Sequence, residues 1–353
     1  MGQKIRIAPG KVLIATPVFD SYWHFAAARQ DVFVRRLEGA PPPWTTNPII
    51  AAHRFTNVYR AADRVSQYLI RHVIYEGLPS AEEVFFRTLL FKFFNRIDTW
   101  ELLVGQLGET PTWKGFEIER YARILDGAHA RGERLYSAAY IMPSPPFGSP
   151  RKHRNHLQLL DRMMRDGAPK LVGRALSLQK VFEILRGYPS LGDFLAFQFA
   201  IDLNYSELIE FSEMDFVVAG PGARNGIAKC FSDTSEMTEA EIIAYVTRSA
   251  DEEFARLGLR FQKLGGTRSL QLIDCQNLFC EVDKYARVAH PEYSGASGRT
   301  RIKQKFSANR AALPQFYPPK WGLNVSVSPE RPSSSALPPL ARQISLSFDH
   351  PAG

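Results

Sequence analysis

Apolar residues along the chain recur mostly at steps of three and four, the period of an α-helix, and seldom alternate as a half-buried strand requires. Helices are expected from Asp20 or Ser21 to about Leu37, from Arg54 to Arg71, from Ser80 to Phe94, from Trp113 to Ala130 and from Asn155 to Arg165. A second helical half is expected to begin near Ala168, with helices at Ser177 to Leu185, Ser190 to Leu203 and Ser206 to Glu213. Thr238-Glu-Ala-Glu241 fits a capping box that opens a helix to about Leu257, and Ser269 to Val288 is the last long helix. Lys11 to Pro17 reads as a short strand or an extended lead-in. The prolines of Gly39 to Pro48 and the loop Tyr140 to Pro150 interrupt the helices. Phe85, Phe86, Phe91, Phe93 and Phe94 read as core. The pattern predicts a mainly α protein: a lead-in over 1–18, one multi-helix body with few or no strands over 19–322, and a Ser/Pro-rich tail over 323–353 too poor in apolar residues to pack.

Two of these helices sort their polar residues onto one side. In the first, Asn57, Arg60, Arg64, Gln67 and Arg71 recur at helical spacing opposite Val58, Ala61, Ala62, Val65, Leu69 and Val73, with Asp63 as the single nearby acid. Planar, permanently charged guanidiniums suit phosphate oxygens. The alternative is that the arginines pair with carboxylates elsewhere in the fold. In the second helix, Gln271, Asp274, Asn277, Glu281 and Lys284 share a face. Carboxylates, an amide and a cation on one stripe supply a general base, an orienting group and a charge stabiliser. A solvated face with an ordinary Glu281–Lys284 pair is the competing reading.

Charge points to a kind of partner. The net charge of +8 is concentrated in two blocks of +6, Met1 to Tyr75 and Lys284 to Arg310, so that the rest of the chain balances at −4. Two basic blocks on a mildly acidic body suggest one shared anionic partner if folding unites them, with Arg299, Arg301 and Lys303 alternating along an extended, phosphate-tracking segment. A Gly220-Pro-Gly222 turn between two helices resembles a helix-hairpin-helix, in which backbone N–H groups approach a DNA phosphate. A plain helix cap and turn is the other reading.

Three cysteines imply no disulfide framework. The N-terminus lacks the apolar run of a signal peptide, and no stretch reaches membrane-span length, so a cytoplasmic setting without a membrane partner is expected. No lysine is followed by Ser or Thr, which excludes a Walker A loop, and there is no Gly-x-Ser-x-Gly elbow. His153 and His156 lack companions for zinc, so no metal site is assigned.

A family resemblance rests on Arg29-Gln30, Arg54-Phe-Thr-Asn57-Val-Tyr59-Arg60-Ala-Ala-Asp63-Arg64, Leu191-Gly-Asp-Phe194-Leu-Ala-Phe-Gln198-Phe-Ala-Ile-Asp202, Gly220-Pro-Gly222 and Asp274-Cys-Gln-Asn277-Leu-Phe-Cys-Glu281-Val-Asp283-Lys284. This set, spanning roughly Phe19 to Trp321, resembles the helical domain of 5-hydroxymethyluracil DNA kinases. It is also similar to the α-glutamyl/putrescinyl thymine pyrophosphorylase group of phage-type thymine hypermodification, proteins regarded as distantly glycosylase-like. The resemblance implies action on DNA bearing a modified thymine, by phosphorylating the base hydroxymethyl group or in a following displacement. ATP with Mg²⁺ would be the cofactor of a kinase, although the missing Walker loop sets the chain apart from kinases of the phosphate-loop type. On this reading Asn57, Arg60, Arg64, Arg71, Gly220, Gly222, Arg299, Arg301 and Lys303 contact DNA, and Trp44 or Tyr59 stacks an extruded base. Asp202, Asp274, Asn277, Glu281 and Lys284 are the catalytic candidates, and the two polar stripes are expected to line one cleft. The alternatives are a DNA-binding module without chemistry that recruits a separate modification enzyme, and a glycosylase-like base-processing enzyme.

Overall fold

The computed structural model describes residues 3–8, 10–139, 141–293, 295, 298–307 and 314–324. The segment expected to be a tail lies, from residue 325 onward, outside the described residues.

The chain opens with a hairpin, β1 (Gln3–Ala8) and β2 (Lys11–Ala15), where a single strand or lead-in was expected. β2 also pairs antiparallel with β3 (Phe231–Asp233), so a small three-stranded sheet of order β1-β2-β3 ties the N-terminus to a distant part of the sequence. Helix α1 (Pro17–Leu37) starts earlier than expected, because Thr16 Oγ1 accepts from Val18 N and Pro17 needs no N–H partner at the first helical position. α2 (Pro48–Ala52) is one short turn capped by Asn47. α3 (Arg64–Tyr68) runs into a π-helical turn at Leu69–Ile74.

Then follow α4 (Ala81–Phe94), α5 (Ile97–Leu107), α6 (Ile118–Ala130), α7 (Lys152–Arg165), α8 (Ala168–Gly173), α9 (Leu178–Arg186), α10 (Asp193–Leu203), α11 (Pro221–Cys230), α12 (Glu239–Arg248), α13 (Ala250–Arg256) and α14 (Leu272–Ala289). The body is mainly helical. The Thr238 capping box forms as expected, with Glu241 N donating to Thr238 Oγ1 and Thr238 N to Glu241 Oε2.

Two helices organise the packing, α4 buried nearly all round and α14 along most of its length. α4 hides Phe85, Phe86, Phe91, Phe93 and Phe94, as its composition requires, and α7, α8 and α10 pack on it. α14 is covered by α1, α11 and α12. α11 lies closest, because a Cβ on Gly226 would stand 2.1 Å from the Phe279 carbonyl oxygen. Only glycine allows backbones to approach that nearly.

Candidate functional site

The stretch from Arg54 to Arg71 is not the single two-faced helix its periodicity suggests. Asp63 Oδ1 accepts from Asn57 N at 2.7 Å, Asn57 Nδ2 donates to Ala62 O at 2.7 Å, and Gln67 Nε2 donates to Ala61 O at 2.7 Å. Side chains have taken backbone groups that a helix would pair with one another, leaving an irregular loop, a 3₁₀ turn at Arg60–Ala62, and α3. Five of the six apolar positions still face the core: Val58, Ala61, Ala62, Leu69 and Val73 are buried.

Arg60 points inward from this turn. Its Nη1 lies 2.7 Å from Asp202 Oδ1 on α10, its Nε donates to Gln198 Oε1 at 2.9 Å, and Nη1 donates to the Tyr205 hydroxyl at 3.1 Å. Lys92 Nζ on α4 stands 3.0 Å from the other carboxylate oxygen of Asp202. All three charges are buried. Burial by itself would raise the Asp202 carboxyl, but the neighbouring Arg60 and Lys92 charges outweigh it and hold the group below the ordinary carboxylate range. Arg60 and Asp202 were expected at a DNA surface and in acid/base work; in this structure they neutralise each other inside the protein.

The same turn is fastened to α14. Arg60 N donates to Asp274 Oδ1 at 2.8 Å, and Asp274 Oδ2 accepts from Gln271 N at 3.0 Å, closing a capping box at the start of the helix. Burial, reinforced by the nearby Glu213 charge, raises the Asp274 carboxyl to about 7. The two polar stripes therefore do meet, through Arg60 and Asp274, but the meeting point is closed to solvent and joins the α4 and α14 halves of the body.

One helical turn and more along α14, the contact opens. Thr56 N donates to Glu281 Oε2 at 3.1 Å, and Lys284 Nζ pairs with Glu281 at 2.7 Å while standing 4.6 Å over the Phe55 ring. Arg29 reaches in from α1 and donates through Nη2 to Asn57 Oδ1 at 2.5 Å. Its other terminal nitrogen, Nη1, is buried without a hydrogen-bond partner among the described residues. Burial lowers the Arg29 guanidinium to about 10 and raises Asp63 to about 6. Arg29, Asn57, Asp63, Glu281 and Lys284 thus form a half-open polar group over an aromatic floor of Phe25, Phe55 and Tyr285. Asn277 is half-buried on the same helix. Arg29 and Asp63 were not among the expected site residues. The signal for Arg29 lay in the spacing Phe25-Arg29-Phe33, which sets a guanidinium on an apolar stripe of α1.

Beside this group the two basic blocks unite. Residues 301–306 run antiparallel to the end of α2: Arg54 N donates to Gln304 O at 3.0 Å, Phe306 N to Ala52 O at 3.0 Å, and His53 bridges Lys305. Ile302 turns into the core while Arg301, Lys303 and Lys305 stay exposed next to Arg54. Arg299 is exposed at the head of the segment. Trp44 packs here, its Nε1 donating to Ala40 O, the Arg36 guanidinium 5.0 Å over its ring and Phe306 at its edge.

Other expected residues lie elsewhere. Tyr59 is buried, its hydroxyl donating to Arg268 O at 2.8 Å, so its ring is closed to a base in this structure. Arg64 is exposed and Arg71 half-buried on the α3 and π-helical turn. Gly220 and Gly222 do not form a hairpin between helices, because irregular chain precedes Gly220. A Cβ at Gly220 would stand 2.6 Å from the Phe194 ring, and one at Gly222 3.0 Å from Cys280 Sγ. Both glycines serve close packing of α11. Among the described residues no cluster of His, Cys, Asp and Glu is suited to hold a metal, and no helix is long and apolar enough to cross a membrane.

No solved structure matches the chain. It is 27% identical over 316 residues to the 5-hmdU DNA kinase of Bacillus phage SP10, an alignment covering 82% of this chain and 48% of that protein. The chain thus spans about half the length of that relative. The family model described as 5-hmdU DNA kinase, helical domain, matches residues 16–295, and with most of its helical body inside that match the chain belongs to this family.

Proposed function

We propose that the chain is a DNA-binding protein of 5-hydroxymethyluracil modification, acting as or with a base kinase or transferase. The observation that carries this reading is the union of the two basic blocks, since residues far apart in sequence are paired backbone to backbone and leave Arg54, Arg301, Lys303 and Lys305 on one exposed ridge. Such a ridge suits a phosphate backbone. At its foot the Arg29, Asn57, Asp63, Glu281 and Lys284 group offers amide, carboxylate and cationic atoms to a base displaced from the stack. Glu281 is the acid/base candidate, Lys284 balances charge beside it, and Asn57 with Arg29 orients.

A second reading, a module that delivers DNA to a separate catalytic unit, is favoured by the absence of a Walker A sequence from the chain. One experiment separates them. Duplex DNA containing 5-hydroxymethyluracil is incubated with ATP, Mg²⁺ and the chain, comparing wild type with Glu281→Gln. Phosphorylated base that disappears in the variant supports catalysis here; salt-sensitive binding without product supports the module; failure to bind DNA defeats both.

A further inference from the structure

A second cationic site lies away from the ridge, where α6 and α7 are joined by the loop that follows residue 130. There a cavity of about 360 Å³, within the size range of small-molecule sites, is lined by Arg134, Arg151, Lys152, His129, His153 and Tyr136. Its one carboxylate, Glu133, is paired with Arg131 at 2.6 Å. Asp126, the acid behind the wall, is satisfied by His153 Nε2 at 2.7 Å and by Arg154 Nη2 at 2.7 Å. Arg134, Arg151 and Lys152 therefore have no carboxylate partner among the described residues, and Lys152 Nζ rests 4.2 Å over the Tyr136 ring. Three cations at one concavity, none of them paired with the single carboxylate that lines it, is an arrangement that an anion would complete. α7 starts at Lys152 with no side-chain cap, so its N-terminal N–H groups add partial positive charge at the same place.

We infer that this cavity binds the phosphate groups of a small polyphosphate-bearing molecule, either inorganic or part of a free nucleotide. Arg134 and Arg151 grip the oxygens, Lys152 neutralises the remaining charge, and the Tyr136 ring with Pro150 forms the wall against which a nucleotide's base or sugar would rest. The ridge that serves the proposed DNA contact is bonded to α2 through Phe306 N and Ala52 O and to α14 through Arg287 Nη1 and Arg301 O, whereas α7 packs on α4, α6 and α8, so this site stands independently of that reading.

The test is calorimetric titration of the full chain with inorganic tripolyphosphate and, separately, with ATP at low salt. It compares wild type, Arg134→Ala with Arg151→Ala, and Arg301→Ala with Lys303→Ala. Both arginines of the first pair are exposed, so that variant should fold, and its circular dichroism and melting curve check this. Saturable binding that weakens by about tenfold or more in the first variant and is unchanged in the second is the expected result. Tighter binding of ATP than of tripolyphosphate would identify a nucleotide as the source, and equal binding an inorganic polyphosphate. No binding of either compound overturns the inference. So does an equal loss in both variants, or a loss of duplex DNA affinity in the first variant as large as its loss of tripolyphosphate affinity, which would make the cavity part of the DNA surface.

Discussion

Arg54 and Arg60 belong to one short segment and end in opposite environments. Arg60 turns into the body, where Asp202, Gln198 and Tyr205 receive its guanidinium, while Arg54 stays outside beside Arg301, Lys303 and Lys305. What separates the two is the presence of a carboxylate fixed on a buried helix. A cation aimed at such a carboxylate becomes part of the core, and removing either charge leaves the other desolvated and alone. A cation among like charges on the surface does nothing for the fold and remains available to a polyanion.

The comparison breaks hardest at Asp202. Asp202→Asn would leave Arg60 and Lys92 buried with no negative charge between them, and the expected loss of stability is about 3–5 kcal/mol. Urea denaturation measures it; a loss below about 1 kcal/mol would mean that Arg60 is free to leave the core, and would restore it as a phosphate ligand. Gly226 belongs to the core side of the same divide. Gly226→Ala should cost about 3 kcal/mol, because the new Cβ meets the Phe279 carbonyl rather than a movable side chain. If that variant melts with wild type, the close α11–α14 approach is not what retains glycine there.

Much of the core could be read from spacing alone. The phenylalanines of α4 and the Thr238 capping box follow from local pattern, and the structure places them accordingly. Elements decided by distant or side-chain partners could not be read in this way. Ser206 to Glu213 has helical spacing, but Asn204 Oδ1 accepts from Phe211 N, its Nδ2 donates to Phe211 O, and Lys320 Nζ takes the carbonyls of Ser206 and Ile209, so the backbone is held irregular. The sheet depends on β3, which lies beyond eleven helices in the chain order. Of the candidate site, Asn57, Glu281 and Lys284 were visible as stripe residues. Arg29 and Asp63 were not assigned, because their roles come from contacts with a loop whose helical spacing conceals its true shape.

On the surface side of the comparison, Arg301→Ala with Lys303→Ala should leave stability within about 0.5 kcal/mol of wild type. The proposal for the ridge requires instead that the salt dependence of DNA binding become shallower, by about 0.9 in the slope of log affinity against log salt for each phosphate that is no longer neutralised. An unchanged slope would detach the ridge from DNA.

The boundary between the two regions runs through Asp274, which belongs to the candidate face by sequence and to the core by structure. Its carboxyl titrates at about 7 in the folded chain against 3.8 ordinarily, with burial the main cause. Between those values the folded chain keeps a proton that the unfolded chain releases. The contribution of this group to stability is therefore greatest below about pH 4, falls as pH rises toward 7, and levels off above it. Asp63, raised to about 6 by burial, adds to the same slope over the lower part of the range. Asp274→Asn removes one titration and leaves the other, so denaturation midpoints measured from about pH 5 to 8 should decline less in the variant than in wild type. An asparagine can still accept one of the two backbone N–H groups that Asp274 now accepts, so the helix start should persist with about 1 kcal/mol lost. If wild type and variant show the same pH slope, the Asp274 carboxylate is reached by solvent, and the contact between the two polar stripes is open after all.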